Sequence, residues 1–225
     1  EPTAAAIEEA LTLASQADKV VVALGETDWM SGEAASRSDI RLPEKQLAVV
    51  AQIIEKNPNV VVTVYSGRPL DLQGIDVAKG IVQAWQPGTE GGNALAEILW
   101  GQYNPSGRLS MSFPETVGQV PIFYNVDNTG RPYESAPEEK YVSKYLDVSN
   151  YAKYPFGFGL SYSHFSYQPI QLSALTFTKE QPITVSVLVR NDSPIAGEET
   201  VQFYVRDLVG QVVRPIKELD RKSVV

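Results

Sequence analysis

The sequence predicts an α/β sandwich with a mostly parallel sheet, followed by a partial all-β sandwich. The first part is predicted because short runs of β-branched residues alternate with segments whose apolar residues recur at helical spacing. The second part is predicted because apolar and polar residues alternate with period two after about Tyr167. With 225 residues, the chain can form one domain of about 150 residues and a smaller one. We place the domains at residues 1–167 and 168–225.

The composition favours a neutral ligand. The chain has 19 Lys and Arg against 27 Asp and Glu, a net charge of −8, which argues against nucleic acid or an anionic membrane as partners. It has no cysteine and a single histidine, His164, which leaves no basis for a disulfide, a Ser-His-Asp triad or a multi-histidine zinc site. We expect neither a metal nor a cofactor. The compartment stays open, since a cytoplasmic and an exported protein can both have this composition.

Three helices and four strands are predicted in the first domain. The helices, from the spacing of apolar residues, are Pro2–Asp18, Lys45–Lys56 and Asn93–Trp100. The strands are Val20–Leu24, Val60–Tyr65, Gly80–Trp85 and Arg108–Phe113. The second strand is too uniformly apolar to be half-exposed, which predicts a sheet covered on both faces. An irregular, polar segment follows over residues 114–154.

An acidic loop follows the first strand and contains Glu26, Asp28 and Glu33. Ligands of open α/β sheets bind at the carboxyl ends of the strands, where this loop begins. Trp29 and Met30 offer apolar surface on which a sugar ring could stack. Acidic loop residues are more often simply solvated, so spacing alone does not identify a catalytic group. A glycine-rich loop over residues 86–92 lacks the spacing of a nucleotide-binding motif and is interpreted as a tight turn into the next helix.

The second domain is predicted to be incomplete. Ile183–Val189 and Val201–Val205 alternate with period two, with a turn-rich connection between them. An antiparallel sandwich of the immunoglobulin or fibronectin kind needs about seven strands, and the sequence offers three or four. We therefore expect Val201–Val205 to be an unpaired edge that recruits a partner, such as a second copy in a homodimer.

Several motifs, in a fixed order, resemble the C-terminal part of family 3 glycoside hydrolases, the β-glucosidase group. In the first domain they are Gly32–Arg37 with Leu42, Pro43 and Gln46, then Ser66–Leu70, Pro87–Gly92, Asn104–Leu109, Asn128–Pro132 and Tyr154–Tyr162. In the second domain they are Ala196–Glu199 and Tyr204–Asp207. Any one of these would be weak, but together they cover nearly the whole chain.

The resemblance implies an α/β sandwich followed by the start of a fibronectin type III-like β-sandwich. In that family an N-terminal barrel domain supplies the nucleophilic aspartate, and the α/β domain supplies the acid/base glutamate. No nucleophile segment is found in this chain, so we expect either a fragment or a second chain with the barrel. The implied substrate is a β-glucoside or an oligosaccharide, and the glycone stays open among glucose, xylose and N-acetylglucosamine.

The resemblance assigns the acid/base role to Glu33. We predict substrate binding by Trp29, Met30 and Ser31, although simple packing between domains accounts equally well for Trp29 and Met30. Glu26 is expected to hydrogen-bond the backbone of its own loop, and Arg37 and Asp39 are expected to brace that loop. The rival interpretations are a non-catalytic carbohydrate-binding or interdomain structural module and an inert remnant without a barrel.

Overall fold

The computed structural model describes residues 2–225, apart from the side chain of Lys222. A parallel sheet with the strand order β1-β2-β3 comprises β1 (Val20–Gly25), β2 (Val60–Tyr65) and β3 (Gly80–Gln83). Three helices accompany it: α1 (Ala4–Gln16), α2 (Glu44–Lys56) and α3 (Gly91–Leu99). The predicted α/β fold with a parallel sheet is confirmed. No helix in the described residues is both long and apolar enough to cross a membrane.

The central strand β2 is the best buried part of the sheet. Val60, Val62 and Val64 have no exposed surface, and Thr63 is nearly as well covered. A continuous apolar run is typical of a parallel strand with both faces covered. The prediction of a covered sheet is therefore confirmed for β2.

Local sequence explains where the helices start. The Thr3 hydroxyl caps α1 by accepting a hydrogen bond from the Ala6 N–H at 3.2 Å. Helix α3 begins at Gly91, two residues before the predicted start at Asn93. A Cβ atom at position 91 would lie 2.5 Å from Cγ of Pro87, so only glycine fits this tight turn without movement of the proline.

The predicted fourth strand, Arg108–Phe113, is wrong. This segment contains only an isolated bridge between Phe113 and Tyr154 and pairs with residues 154–158 rather than with the parallel sheet. Its apolar pattern reflects core packing instead, because the Phe113 ring is buried against Trp85 with ring centroids 5.7 Å apart. Trp85 itself has a φ of +54°, so β3 ends at Gln83 rather than at the predicted residue 85.

The segment between residues 114 and 154 is irregular, as predicted, with two short 3₁₀ helices at Val117–Gln119 and Tyr133–Ser135. The buried Gln119 side chain organises its first part. Its Nε2 donates to the Ser149 carbonyl at 2.7 Å, and its Oε1 accepts from the Glu115 N–H at 2.6 Å. One side chain thus joins the two ends of this long segment.

The C-terminal part forms three antiparallel strand pairs. They are β4 (Phe165–Tyr167) with β7 (Val189–Asn191), β5 (Gln171–Leu172) with β6 (Val185–Ser186), and β8 (Thr200–Val205) with β9 (Glu218–Val224). The single strand predicted over Ile183–Val189 is wrong, because its two ends pair with different partners. The expectation that Val201–Val205 is unpaired is wrong for one edge, which β9 covers; within the described residues no strand pairs with its other edge.

A buried ion pair joins the two parts of the chain. The Arg108 guanidinium pairs with the Glu199 carboxylate, which also accepts a hydrogen bond from the Tyr167 hydroxyl at 2.6 Å. Burial of the phenol, together with this bond to Glu199, raises the pKa of Tyr167 to about 12. The ring therefore stays protonated and keeps donating this bond well above neutral pH.

We predict that Asn57→Ala lowers the free energy of unfolding of the chain by about 2 kcal/mol, in the range for buried groups that lose their hydrogen-bond partner. Asn57 is 6% exposed, and its Nδ2 donates to the carbonyls of Ala14 and Ala17 at 2.9 and 2.7 Å, across the end of α1. Urea unfolding measures the change. The control is Asn59→Ala, whose exposed bond to the Asp18 carbonyl is longer, at 3.3 Å; equal effects of the two substitutions would contradict the prediction.

Candidate active site

The acidic loop leaves β1 at a point that is fixed from two sides. The Gln46 side chain on α2 accepts from the Gly25 N–H and donates to the Gly25 carbonyl, both at 3.0 Å. On the other side, the Glu26 N–H donates to the Tyr65 carbonyl at 2.9 Å. A Cβ atom at Gly25 would lie 2.0 Å from that carbonyl oxygen, so the close approach of β1 and β2 requires glycine here.

The Glu26 carboxylate lies beneath the loop and is 1% exposed. Its Oε1 is 2.8 Å from Nη1 of Arg37 and 3.1 Å from Nε of Arg68. The Arg68 contact is an ion pair without hydrogen-bond alignment. The Gly67 N–H approaches Oε2 at 3.4 Å. The expected bonds from Glu26 to its own loop backbone are not found, because the side chain extends sideways to the loop that follows β2.

The two arginines hold the loop at different points. Nη2 of Arg68 donates to the carbonyls of Met30 and Ala35, at 2.6 and 2.7 Å. Nη2 of Arg37 donates to the Arg41 carbonyl at 2.9 Å. The predicted bracing by Arg37 agrees with these contacts. Asp39 also accepts from the loop backbone, at the Arg41 N–H at 3.0 Å, and pairs with the exposed Arg41 side chain. These bonds to Arg41 hold the pKa of the Asp39 carboxyl well below its usual range.

Glu33 lies at the outer turn of the loop and is exposed. It is flanked by two residues with positive φ, Gly32 at +118° and Ala34 at +59°. A non-glycine residue in the left-handed region is uncommon, and such strain is concentrated at functional sites. Among the described residues, nothing donates a hydrogen bond to the Glu33 carboxylate or pairs with it. Glu33 therefore offers a free carboxylate.

A cleft of about 510 Å³ opens beside Glu33, between the acidic loop and the loops that follow β2 and β3. Its lining residues are Ser31, Gly32, Ala34, Ala35, Ser36, Gly67, Arg68 and Gln86. The floor is tight, since a Cβ atom at Gly67 would lie 2.0 Å from the Ser31 hydroxyl oxygen. Hydroxyl, amide and guanidinium groups line much of the cleft, so it suits a ligand with several hydroxyl groups.

The predicted substrate-binding residues occupy three different environments. Ser31 lines the cleft. Met30 is half-buried and contributes its carbonyl to the bond with Arg68. Trp29 is 89% exposed, and its backbone N–H donates to the Asp28 carboxylate at 3.0 Å. The cleft is thus lined by Ser31 and by the two neighbours of Glu33, Gly32 and Ala34, while the Trp29 ring is left in solvent.

The arrangement of the acidic loop allows proton transfer. A free carboxylate beside a polar cleft can donate or accept a proton when a substrate is held there. Glu26 does not offer a free carboxylate, because it is buried and paired with Arg37 and Arg68. Within the described residues, no group of three His, Cys, Asp or Glu side chains is arranged to hold a metal ion.

Two residues of the site received no role from the sequence. Arg68 and Gln46 both lie in the recognised motifs, but the motifs give no indication of their contacts. The topology does indicate the contacts of Arg68, because the parallel neighbours β1 and β2 end at the same edge of the sheet. Polar residues that follow β2 must therefore lie beside the loop that follows β1.

We predict that Glu26→Gln lowers the free energy of unfolding by about 3 kcal/mol, because removing one partner of a buried ion pair leaves the others uncompensated. The amide keeps the shape of the side chain but removes the charge that faces Arg37 and Arg68. Chemical denaturation provides the measurement. Asp39→Asn is the matched control, since its pair with Arg41 is exposed, and it should change stability little. A Glu26→Gln chain as stable as the control would refute the prediction.

Comparison with known proteins gives a consistent result. The sequence profile of the glycosyl hydrolase family 3 C-terminal domain matches residues 2–162. The chain is 42% identical to the periplasmic beta-glucosidase of Salmonella typhimurium over 216 residues, which are 96% of this chain and 28% of that protein. It is 35% identical to the thermostable beta-glucosidase B of Acetivibrio thermocellus, over 95% of this chain and 28% of that protein.

Solved structures show the same relationship. The beta-glucosidase from Listeria innocua in complex with gluconolactone has a TM-score of 0.92 and 39% identity, covering 100% of this chain and 31% of that one. The beta-glucosidase from Kluyveromyces marxianus has a TM-score of 0.77 and 31% identity, over 98% of this chain and 27% of that one. The chain thus spans under a third of the length of these relatives. Because the family profile matches residues 2–162, more than half of the sequence, this chain belongs to glycosyl hydrolase family 3 and contains its C-terminal domain.

Proposed function

We propose that this chain is the C-terminal portion of a retaining β-glucosidase that hydrolyses terminal β-D-glucosyl residues, with Glu33 as the general acid/base. The observation that carries the proposal is the state of the three loop carboxylates. Glu26 is ion-paired and buried, and Asp28 accepts a hydrogen bond from the neighbouring Trp29 N–H. Glu33 alone among them is unpartnered in the described residues, at the edge of a polar cleft.

A retaining glycosidase needs two carboxyl groups about 5 to 5.5 Å apart. One attacks the anomeric carbon while the other protonates the glycosidic oxygen, and the second group then removes a proton from the water that cleaves the covalent intermediate. We assign the second role to Glu33 and the nucleophile to an aspartate on an N-terminal barrel domain. This chain spans 28% and 31% of the length of two of its relatives, which supports a barrel domain as its partner in the complete enzyme.

The barrel also has a chemical role in this proposal. A general acid must hold its proton near neutral pH, which requires burial or a neighbouring negative charge. Glu33 is exposed in the described chain. A barrel that covers the loop would bury Glu33 and place a carboxylate close to it.

Substrate binding is proposed for Ser31, which lines the cleft, and for Trp29 and Met30 beside it. The 89% exposed ring of Trp29 suits either stacking on a sugar or contact with the barrel, and the substrate would be a β-glucoside or an oligosaccharide. We also propose a domain division between residues 167 and 168. The pairing of β4 with β7 places Phe165–Tyr167 with the C-terminal strands, three residues before that division. The beta-glucosidase from Listeria innocua, 39% identical to this chain, binds glucose in a solved complex, which supports this substrate class.

In the complete enzyme, Glu33→Ala should lower turnover of alkyl glucosides by roughly two to four orders of magnitude, the range expected for loss of a general acid. Glucosides with an activated phenol need little protonation, so formation of their covalent intermediate should slow far less. Because Glu33 also activates water, that intermediate should accumulate. Steady-state and burst kinetics on the two substrate types measure these effects.

Azide needs no base, so it should restore turnover of Glu33→Ala on the activated substrate and give a β-glycosyl azide. The matched control is Asp28→Ala on the same loop, which should show neither the dependence on the leaving group nor the rescue. Unchanged turnover after Glu33→Ala would favour the non-catalytic module, and rescue of Asp28→Ala instead would move the acid/base role to Asp28.

A further inference from the structure

We infer that Arg68 is the positioning residue for the acid/base glutamate, an inference that rests on the proposed function of Glu33. Arg68 lies on the loop that follows β2, and no recognised motif gives it a role in the reaction. It is one of the residues that line the cleft beside the acidic loop. Its side chain reaches out of its own loop to the backbone of the neighbouring one.

The contacts of Arg68 bracket the turn that presents Glu33. Its Nη2 donates to the Met30 carbonyl at 2.6 Å and to the Ala35 carbonyl at 2.7 Å. These two carbonyls stand on either side of the segment 31–34, which contains Glu33. One nitrogen atom therefore ties both ends of the turn together.

The same guanidinium is anchored at the sheet. Its Nε lies 3.1 Å from Oε1 of Glu26, and Glu26 begins directly after β1. Arg68 follows β2, the neighbour of β1 in the sheet. The planar guanidinium of Arg68 therefore fixes the position of the turn at residues 31–34 relative to the ends of β1 and β2.

Backbone strain makes this restraint necessary. The φ of +59° at Ala34 is a sparsely populated conformation for a non-glycine residue, and it persists only where surrounding contacts determine it. Loss of the bonds to Met30 and Ala35 would let the turn relax and move the Glu33 carboxyl. A displacement of about 1 Å in a catalytic group can lower the rate about 100-fold.

Lysine cannot replace this arginine. The guanidinium faces Glu26 with Nε and both loop carbonyls with Nη2 at the same time, whereas an ammonium is a single point on a flexible stem that cannot reach both places. In Arg68→Lys an ammonium that stays beside Glu26 keeps the positive charge there but no longer reaches the Met30 and Ala35 carbonyls. The substitution therefore separates the charge of Arg68 from its positioning role.

The test compares Arg68→Lys with wild type in the complete enzyme on an alkyl glucoside and an activated aryl glucoside. We expect kcat on the alkyl glucoside to fall about 30- to 100-fold, with KM and the first step on the aryl glucoside within about 3-fold of wild type. The ratio of the two rates does not depend on how much of the enzyme is folded.

Combining Arg68→Lys with Glu33→Gln distinguishes a positioning role of Arg68 from a purely structural one. If Arg68 acts through Glu33, Arg68→Lys should lower the alkyl rate by less than about 3-fold in the Glu33→Gln background, because effects within one unit are not additive. A full 30- to 100-fold loss in that background (about the size expected for the single variant) would overturn the inference, as would an equal loss on both substrates.

The control is Arg41→Lys, an arginine of the same loop whose side chain pairs with the exposed Asp39. It should leave the ratio of the two rates unchanged, and a change as large as that of Arg68→Lys would contradict the inference. If Glu33→Gln alone shows no dependence on the leaving group, the proposed function itself is wrong and the inference fails with it. If Glu33→Gln shows the dependence and Arg68→Lys does not, only the inference about Arg68 is wrong.

Discussion

The candidate site depends on a buried carboxylate that is shared by two arginines. Removing a carboxylate from water costs several kcal/mol, which is recovered only where its oxygens have well-placed partners. Glu26 accepts an aligned hydrogen bond from Arg37, forms an ion pair with Arg68 and accepts a long bond from the Gly67 N–H. Each arginine also donates to a carbonyl of the acidic loop. The position of the loop therefore follows from the need to satisfy Glu26.

The parallel sheet makes this arrangement possible. Strands β1 and β2 run side by side and end at the same edge, with Gly25 opposite Tyr65. Their loops begin next to each other, so a carboxylate that follows one strand can meet a guanidinium that follows the other. Gln46 on α2 then fixes the backbone of Gly25, where the acidic loop starts. The covered β2 supplies the rigid base on which these polar contacts rest.

Sequence patterns predicted the elements whose residues interact locally or bury a continuous apolar run. The three helices, β1 and β2 lie close to their predicted positions, and the acidic loop lies at the predicted edge of the sheet. The strand predicted over Arg108–Phe113 was wrong because burial against Trp85 produces the same alternation of apolar and polar residues as pairing in a sheet. Ile183–Val189 misled because one alternating run serves two different strand pairs.

The site was predictable in its place and much less in its contacts. Spacing alone could not choose among the three carboxylates of the loop, and the assignment of Glu33 came from the family resemblance. The partners of Glu26 could not be predicted, because Arg37 and the Gly67 N–H lie 11 and 41 residues away from it in the sequence, and Arg68 follows Gly67. Such contacts depend on the strand order and on the path of each loop, which local patterns do not encode.

Hydrogen exchange in the wild-type and Glu26→Gln chains tests most directly whether Glu26 holds the acidic loop in place. The informative amides are Met30 and Ala35, which donate within the loop to the carbonyls of Thr27 and Gly32. We predict that Glu26→Gln abolishes the protection of these two amides, while the amides of β2 stay protected. Retention of wild-type protection at Met30 and Ala35 in Glu26→Gln would contradict the account, because the loop would then keep its structure without the buried charge.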